Sequence, residues 1–250
     1  MQAMPLRRIK LTIEYDGTNY HGWQVQDNAH TVQAELENAI LRITGERVRI
    51  TGSGRTDTGV HALGQVAHFD TSSMIPAEKF RNALSAVLPL DVAVISSEEV
   101  DFDFHSRFSA IGKTYEYRIL NRQIRSPLME KRVWHIKEAL DFKVLNQAAE
   151  AFLGTHDFSS FCASGRSISN FERTIHLSEW SERQGLLVYS VCGNGFLYNM
   201  VRIMVGTMIE AGLGKRTPES ISDILTEKNR NLAGITAPPQ GLYLVEVHYD

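Results

Sequence analysis

The stretch Arg8-Ile9-Lys10-Leu11-Thr12-Ile13-Glu14-Tyr15 alternates polar and apolar residues without a break. Successive side chains of a strand point to opposite faces, so Ile9, Leu11, Ile13 and Tyr15 define one buried face. Asp16-Gly17 is a turn pair that ends the strand. Thr31 stands where a helix N-cap belongs, and Val32, Leu36, Ala39, Ile40 and Ile43 then share one helical face. Arg47–Thr51 and Gln65–Asp70 read as short strands on either side of a glycine-rich loop. Pro76 opens a helix carrying Phe80, Leu84, Val87 and Leu88, and Val92–Val100 is a further strand. The order is β-α-β-β-α-β, the split βαβ pattern.

The remainder repeats that order. Lys113–Leu120 reads as a strand, and Leu140–Leu153 as a helix with Val144, Leu145, Ala148 and Phe152 inward. Arg173–Trp180 and Leu186–Cys192 form a hairpin around Arg183-Gln184-Gly185. Phe196–Gly212 is a strongly apolar helix, Thr217-Pro218-Glu219 starts a shorter one, and Leu242–Tyr249 is a closing strand. The fold class expected is α+β, with two ferredoxin-like halves at residues 1–105 and 106–250. Twinned units of this kind can merge their antiparallel or mixed sheets and leave a cleft, where ligand sites tend to lie.

The 250 residues, 43% of them hydrophobic, are enough for one large core or two moderate ones. No apolar run approaches the ~20 residues of a membrane span, and Met1–Arg8 has no apolar segment of the secretory kind. The expectation is a cytoplasmic protein without a membrane partner. Two cysteines, Cys162 and Cys192, each beside an apolar neighbour, exclude a disulfide framework and read as buried thiols. No metal-binding spacing of Cys and His is present, so no metal is expected. The net charge is −3, yet Phe104–Lys137 holds eight basic residues against Glu116 and Glu130. Such a segment is either an ordinary solvated face or one that tracks a phosphate backbone.

Gly52, Gly54, Gly59 and Gly64 bracket Asp57, with Arg55 and His61 beside it. Glycines at this density permit tight turns and close approach of backbone to a ligand. Composition alone leaves two readings open: a surface turn, or a site on a loop. Asp57-Thr58-Gly59 is also the triplet of aspartic proteases, which need two carboxylates sharing a proton. Arg55 and His61 favour the ionised form instead, and no second Asp-Thr-Gly occurs in the chain.

The wider string Gly52-Ser53-Gly54-Arg55-Thr56-Asp57-Thr58-Gly59-Val60-His61-Ala62 resembles the signature of the bacterial tRNA pseudouridine synthase A family. Tyr15–Gln24 is similar to that family's opening strand and turn, and Lys113-Thr114-Tyr115-Glu116-Tyr117 to its second motif. Gly154–Phe158, Phe196–Arg202 and Pro239–Leu244 resemble its later blocks. The matches run in order over nearly the whole chain, which chance rarely produces.

The resemblance implies the pseudouridine synthase fold, with the active site in the cleft between the halves. It implies isomerisation of uridine to pseudouridine on the 3′ side of the anticodon stem-loop of tRNA, without cofactor, metal or nucleotide energy source. Asp57 corresponds to the catalytic Asp, which either attacks C1′ or assists elimination across the sugar. Tyr115 corresponds to the tyrosine that stacks on the uracil and assists proton removal from C5. Arg202 corresponds to the arginine set against the catalytic Asp. The sequence supports that placement independently: Phe196–Ile209 contains no acid, so a guanidinium there calls for an anion from elsewhere or a path to solvent. Arg55 and Leu242 are expected to contact substrate, and His61 either contacts RNA or orders the loop. The pair His156-Asp157 reads as structural. A homodimer that lays one tRNA across both subunits is also implied. A catalytically silent RNA-binding relative and a two-carboxylate hydrolase are the competing readings.

Overall fold

The computed structural model describes residues 5–163 and 169–250; Met1–Met4, part of the stretch read above for a secretory segment, lie outside the described residues. The chain is α+β and divides into two compact units. The first runs to Ile111 and takes in Leu244–Asp250; the second is Gly112–Tyr243. The terminal strand was read above with the second half. Its greater part, from Leu244, lies instead beside a strand of the first unit.

In the first unit the elements are β1 (Arg7–Tyr15), α1 (Val32–Thr44), β2 (Thr51–Gly52), β3 (His61–Thr71), α2 (Phe80–Ser85) and β4 (Val92–Val100). β1 lies between β4 and β3 and is antiparallel to both. Its alternation buries Ile9, Leu11, Ile13 and Tyr15, and α1 buries Val32, Leu36 and Ile40, each burial contributing ~1.5–3 kcal/mol. Phe69 of β3 meets Phe80 of α2 edge-on at 5.5 Å. On the other face Arg8 stands opposite Asp70 and grips it through two bonds of 2.7 and 2.9 Å.

Three expectations change here. Of the Arg47–Thr51 stretch only Thr51 joins the sheet, together with Gly52 beyond it. β3 begins at His61 rather than Gln65, because Gly64 is a strand residue: a Cβ on it would lie 2.4 Å from the Val245 carbonyl oxygen. Thr31 occupies the N-cap of α1, but its hydroxyl makes no capping bond.

In the second unit the elements are β5 (Gly112–Asn121), β6 (Trp134–Ile136), α3 (Phe142–Glu150), β7 (Gly154–Asp157), β8 (Glu172–Arg183), β9 (Leu186–Gly193), α4 (Met200–Gly212), α5 (Ser220–Glu227) and the start of β10 (Leu242–His248). The strand order is β5-β9-β8-β7, with β6 parallel on β5. The β8–β9 hairpin closes on Gln184 and Gly185, with φ of +52° and +76°, the sign the right-handed twist demands of a two-residue turn. Asp141 caps α3 by accepting from the amides of Lys143 and Val144. α4 starts at Met200, not Phe196, because Asn199 is left-handed with φ +59°. It is buried nearly all round, as its apolar sequence requires. Neither Cys162 nor Cys192 is in a disulfide, and Cys192 is only partly buried. No helix among the described residues is long and apolar enough to cross a membrane.

Candidate active site

Asp57 sits, partly buried, in the loop 53–60 between β2 and β3. That loop is gripped by the segment 15–24, which leaves β1 through a short 3-10 turn at Gly17–Asn19. The Tyr15 hydroxyl and the Thr56 Oγ1 lie 2.8 Å apart, both buried. Burial raises the Tyr15 pKa, against bonds to Thr56 and Gln65 that lower it, so the phenol stays neutral. The Trp23 amide donates to the Thr56 carbonyl at 3.1 Å, and the Gly59 amide to the Tyr20 carbonyl at 3.3 Å. The amide of Val60 closes the turn on the Asp57 carbonyl at 3.1 Å.

Two glycines make this approach possible. A Cβ on Gly17 would lie 2.0 Å from the Val60 carbonyl oxygen. One on Gly22, where φ is +87°, would lie 2.5 Å from the Thr56 carbonyl oxygen. From below, the Ser53 hydroxyl donates to Gln65 Oε1 at 2.6 Å and Gln65 Nε2 donates to the Gly54 carbonyl at 3.0 Å. The backbone on both sides of Asp57 is thus fixed by named partners.

His61 is 2% exposed, and its Nδ1 lies 3.1 Å from the Gly17 amide and 3.0 Å from Asp16 Oδ1. One atom cannot serve both: it accepts from the amide when unprotonated or donates to the carboxylate when protonated. Either way the ring ties loop to turn, which supports the ordering role of His61 over contact with RNA. Arg55 is exposed, and its Nε donates to Gln24 Oε1 at 3.2 Å. Gln24 in turn donates to the buried Gln33 at 2.7 Å, and Gln33 to Glu37 at 2.7 Å. This relay from α1 sets the base of the Arg55 guanidinium.

The second unit holds Tyr115, Arg202 and Leu242. Tyr115 and Tyr117 point to one face of β5, and Tyr115 meets Phe196 edge-on at 5.1 Å. The Tyr117 hydroxyl donates to the Pro238 carbonyl at 2.7 Å, and a Cβ on Gly241 would touch its ring at 2.6 Å. Burial raises the Tyr117 pKa well above that of a free phenol, with the charge of Arg202 acting in opposition. Arg202 donates through Nε to the Ala237 carbonyl at 2.7 Å and through Nη1 to Asn199 Oδ1 at 2.9 Å. Both acceptors are neutral, so they aim the guanidinium without cancelling its charge. Leu242, 6% exposed, follows Gly241 directly. Segment 237–242 therefore touches both Tyr117, the neighbour of Tyr115 on one face of β5, and Arg202.

His156 and Asp157 have structural partners. His156 Nε2 bonds the Leu153 carbonyl at 2.7 Å, and Asp157 accepts from Ser159 and pairs with Lys228 at 2.9 Å. Among the positioning residues, the sequence marked Tyr15 only as a buried strand residue at the start of a motif stretch and Ser53 and Thr56 only as members of the motif string, and it gave Gln65 and Gln33 no such role.

A family sequence model described as tRNA pseudouridine synthase matches residues 11–109 and 148–250. The first block contains Arg55, Asp57 and His61, and the second contains Arg202 and Leu242; Tyr115 and Tyr117 lie between the two. The chain belongs to the tRNA pseudouridine synthase family. It is 51% identical to tRNA pseudouridine synthase A of Acetivibrio thermocellus over 98% of this chain and all of that one. It is 50% identical to the protein of that name from Thermoanaerobacter sp., with the same coverage. Against its namesake in Exiguobacterium sp. the identity is 47%, over 98% of this chain and 99% of the relative. The family is one of isomerases, and the α+β architecture is that of the pseudouridine synthase fold.

Proposed function

We propose that this enzyme isomerises uridine to pseudouridine in the anticodon stem-loop of tRNA, with Asp57 as the nucleophile. The observation that carries the proposal is the fixed loop around Asp57. A side chain that must meet one sugar carbon gains from a backbone that cannot drift, since ~1 Å of misplacement can cost about 100-fold in rate. The N1–C1′ bond breaks, the freed uracil turns, and C5 joins C1′. The C5 proton is lost to solvent and N1 gains one, so the change is redox-neutral and needs no cofactor. Tyr115 stacks on the uracil and assists loss of the C5 proton. Arg202 pairs with the Asp57 carboxylate and holds it ionised. Arg55 and Leu242 contact the substrate. The target uridine must leave its stack, at a cost of a few kcal/mol. A homodimer carrying one tRNA across both subunits, in the cytoplasm, belongs to the same proposal.

Asp57→Asn tests the assignment. The variant is expected to bind tRNA within about threefold of wild type and to form no pseudouridine, since the amide is not a nucleophile at neutral pH. Turnover near the wild-type rate would remove Asp57 from the chemistry.

A further inference from the structure

We propose that the segment Arg122–Lys137 is a preformed anchor for the phosphate backbone of the tRNA stem, several base steps from the reacting uridine. The inference rests on the reading above, in which Tyr115 faces that uridine.

The charge in this region is not spread evenly. Arg118 is paired with Glu116 at 3.1 Å and lies over the Tyr243 ring at 3.9 Å. Beyond the end of β5, Arg122, Arg125, Lys131, Arg132 and Lys137 are all exposed, against Glu130 and Glu138. Ile124 and Leu128 project among them, 74% and 94% exposed, apolar surface suited to the ribose faces between phosphates.

The backbone beneath these side chains is held at both ends. Asn121 Nδ2 donates to the carbonyls of Ile136 and Glu138 at 3.0 and 2.7 Å. His135 Nε2 bonds the Arg122 carbonyl at 2.7 Å, and Gln123 Nε2 donates to the Lys137 carbonyl at 3.1 Å. A 3-10 turn at Pro127–Met129 shapes the tip, and the Tyr243 hydroxyl donates to the Arg132 carbonyl at 2.7 Å. Cations on such a frame lose little backbone freedom on binding, which favours a defined contact.

Distance separates the end of this surface that carries Arg122 and Lys137, level with Asn121, from the chemistry. Tyr115 and Asn121 lie on one strand, six residues apart, which is roughly 20 Å at ~3.3 Å per residue. That is on the order of six stacked base steps at ~3.4 Å each. The contact therefore falls on a stem rather than on the reacting loop.

The test uses the full chain with Arg125→Gln/Lys137→Gln and with Arg122→Gln added. The double variant spares Arg122, whose Nε donates to the Ile124 carbonyl and helps shape the tip. Exposed Lys143, replaced by Gln, is a single-charge control outside the segment. Isomerisation and filter-retention binding are measured on an unmodified tRNA transcript and on a hairpin with a shortened stem, between about 50 and 200 mM salt. The double variant should raise KM and Kd for the transcript about tenfold, keep kcat within about twofold, and lower the salt slope by roughly 1.4–1.8. The shortened hairpin should bind wild type and variant alike. Unchanged slopes in both variants would overturn the anchor, as would an equal loss in the Lys143→Gln control. A change of oligomeric state in Ile124→Ser/Leu128→Ser, with the charge variants silent, would make the segment a contact between copies and also overturn it. Failure of the synthase reading looks different: wild type itself would form no pseudouridine, while the salt slopes remain measurable by binding.

Discussion

Two irregular segments of this chain, 53–60 and 122–133, are both held in place, but for opposite ends. The first is turned inward: Ser53 and Thr56 are buried, Asp57 is partly so, and each flank is bonded to the 15–24 segment or to β3. The second is fixed from beneath and shows its cations to solvent. In the proposed reaction, rigidity in the first serves one group, the carboxylate that must meet a sugar carbon. In the second it serves a distribution of charge, where no single side chain is decisive. Damage to the first should therefore appear in kcat, and damage to the second in KM and salt dependence.

The largest effect is expected where a glycine lets two backbones touch. Gly22→Ala forces a Cβ into the Thr56 carbonyl and strains a positive φ. It should lower kcat about 100-fold while changing tRNA affinity only a few-fold. Gly45→Ala is the matched control, because Gly45 also has a positive φ, +77°, with nothing near its missing Cβ. It should cost about 1 kcal/mol of stability and leave kcat alone. Equal kinetic loss in both variants would show that the grip on the loop is not what matters. Tyr15→Phe is milder: it removes the bond to buried Thr56, and unfolding should become easier by ~1–3 kcal/mol, with kcat reduced less than tenfold. A denaturation midpoint equal to wild type would contradict that bond's role.

The smallest effect concerns pH. His68 on β3 is held down to about 4, first by burial, then by the charges of Arg8 and His105, with Asp70 opposing. Its Nδ1 accepts from the Ser106 amide at 3.2 Å, a bond that needs the neutral ring. A histidine depressed in the folded state binds its proton more readily when unfolded. Its contribution is fully present above the unfolded value near 6.5 and is lost as pH falls from there towards 4. His68→Asn supplies an acceptor oxygen near the position of Nδ1 without the titration. Its melting temperature should fall less than that of wild type across that window. Parallel curves would rule His68 out as a source of acid sensitivity.

The sequence disclosed what local periodicity controls. The alternation at Arg8–Tyr15 and the turn at Gln184-Gly185 each have a near-neighbour cause, and both elements formed where expected. β6 and β7 escaped because three or four residues carry no readable period, and their pairing depends on β5 and β8. Gly64 misled in the opposite direction: it reads as a loop residue, yet it is the strand position where Val245, far along the chain, comes closest. The motif around Asp57 was legible as a string. Its grip by Tyr15, Gly17, Gly22 and Trp23 was not, since no one-dimensional pattern states that two motifs touch. His61 shows the same gap, for burial, not residue type, makes it part of the frame.

Release of tritium from tRNA labelled at C5 of uridine tests the central claim most directly, because C5, once joined to C1′, must lose that hydrogen to restore the conjugated ring of pseudouridine. Wild type should release tritium in proportion to pseudouridine formed, and Asp57→Asn should release none while still retaining tRNA on a filter. No release by wild type across a range of tRNAs, or undiminished release by Asp57→Asn, would contradict the account.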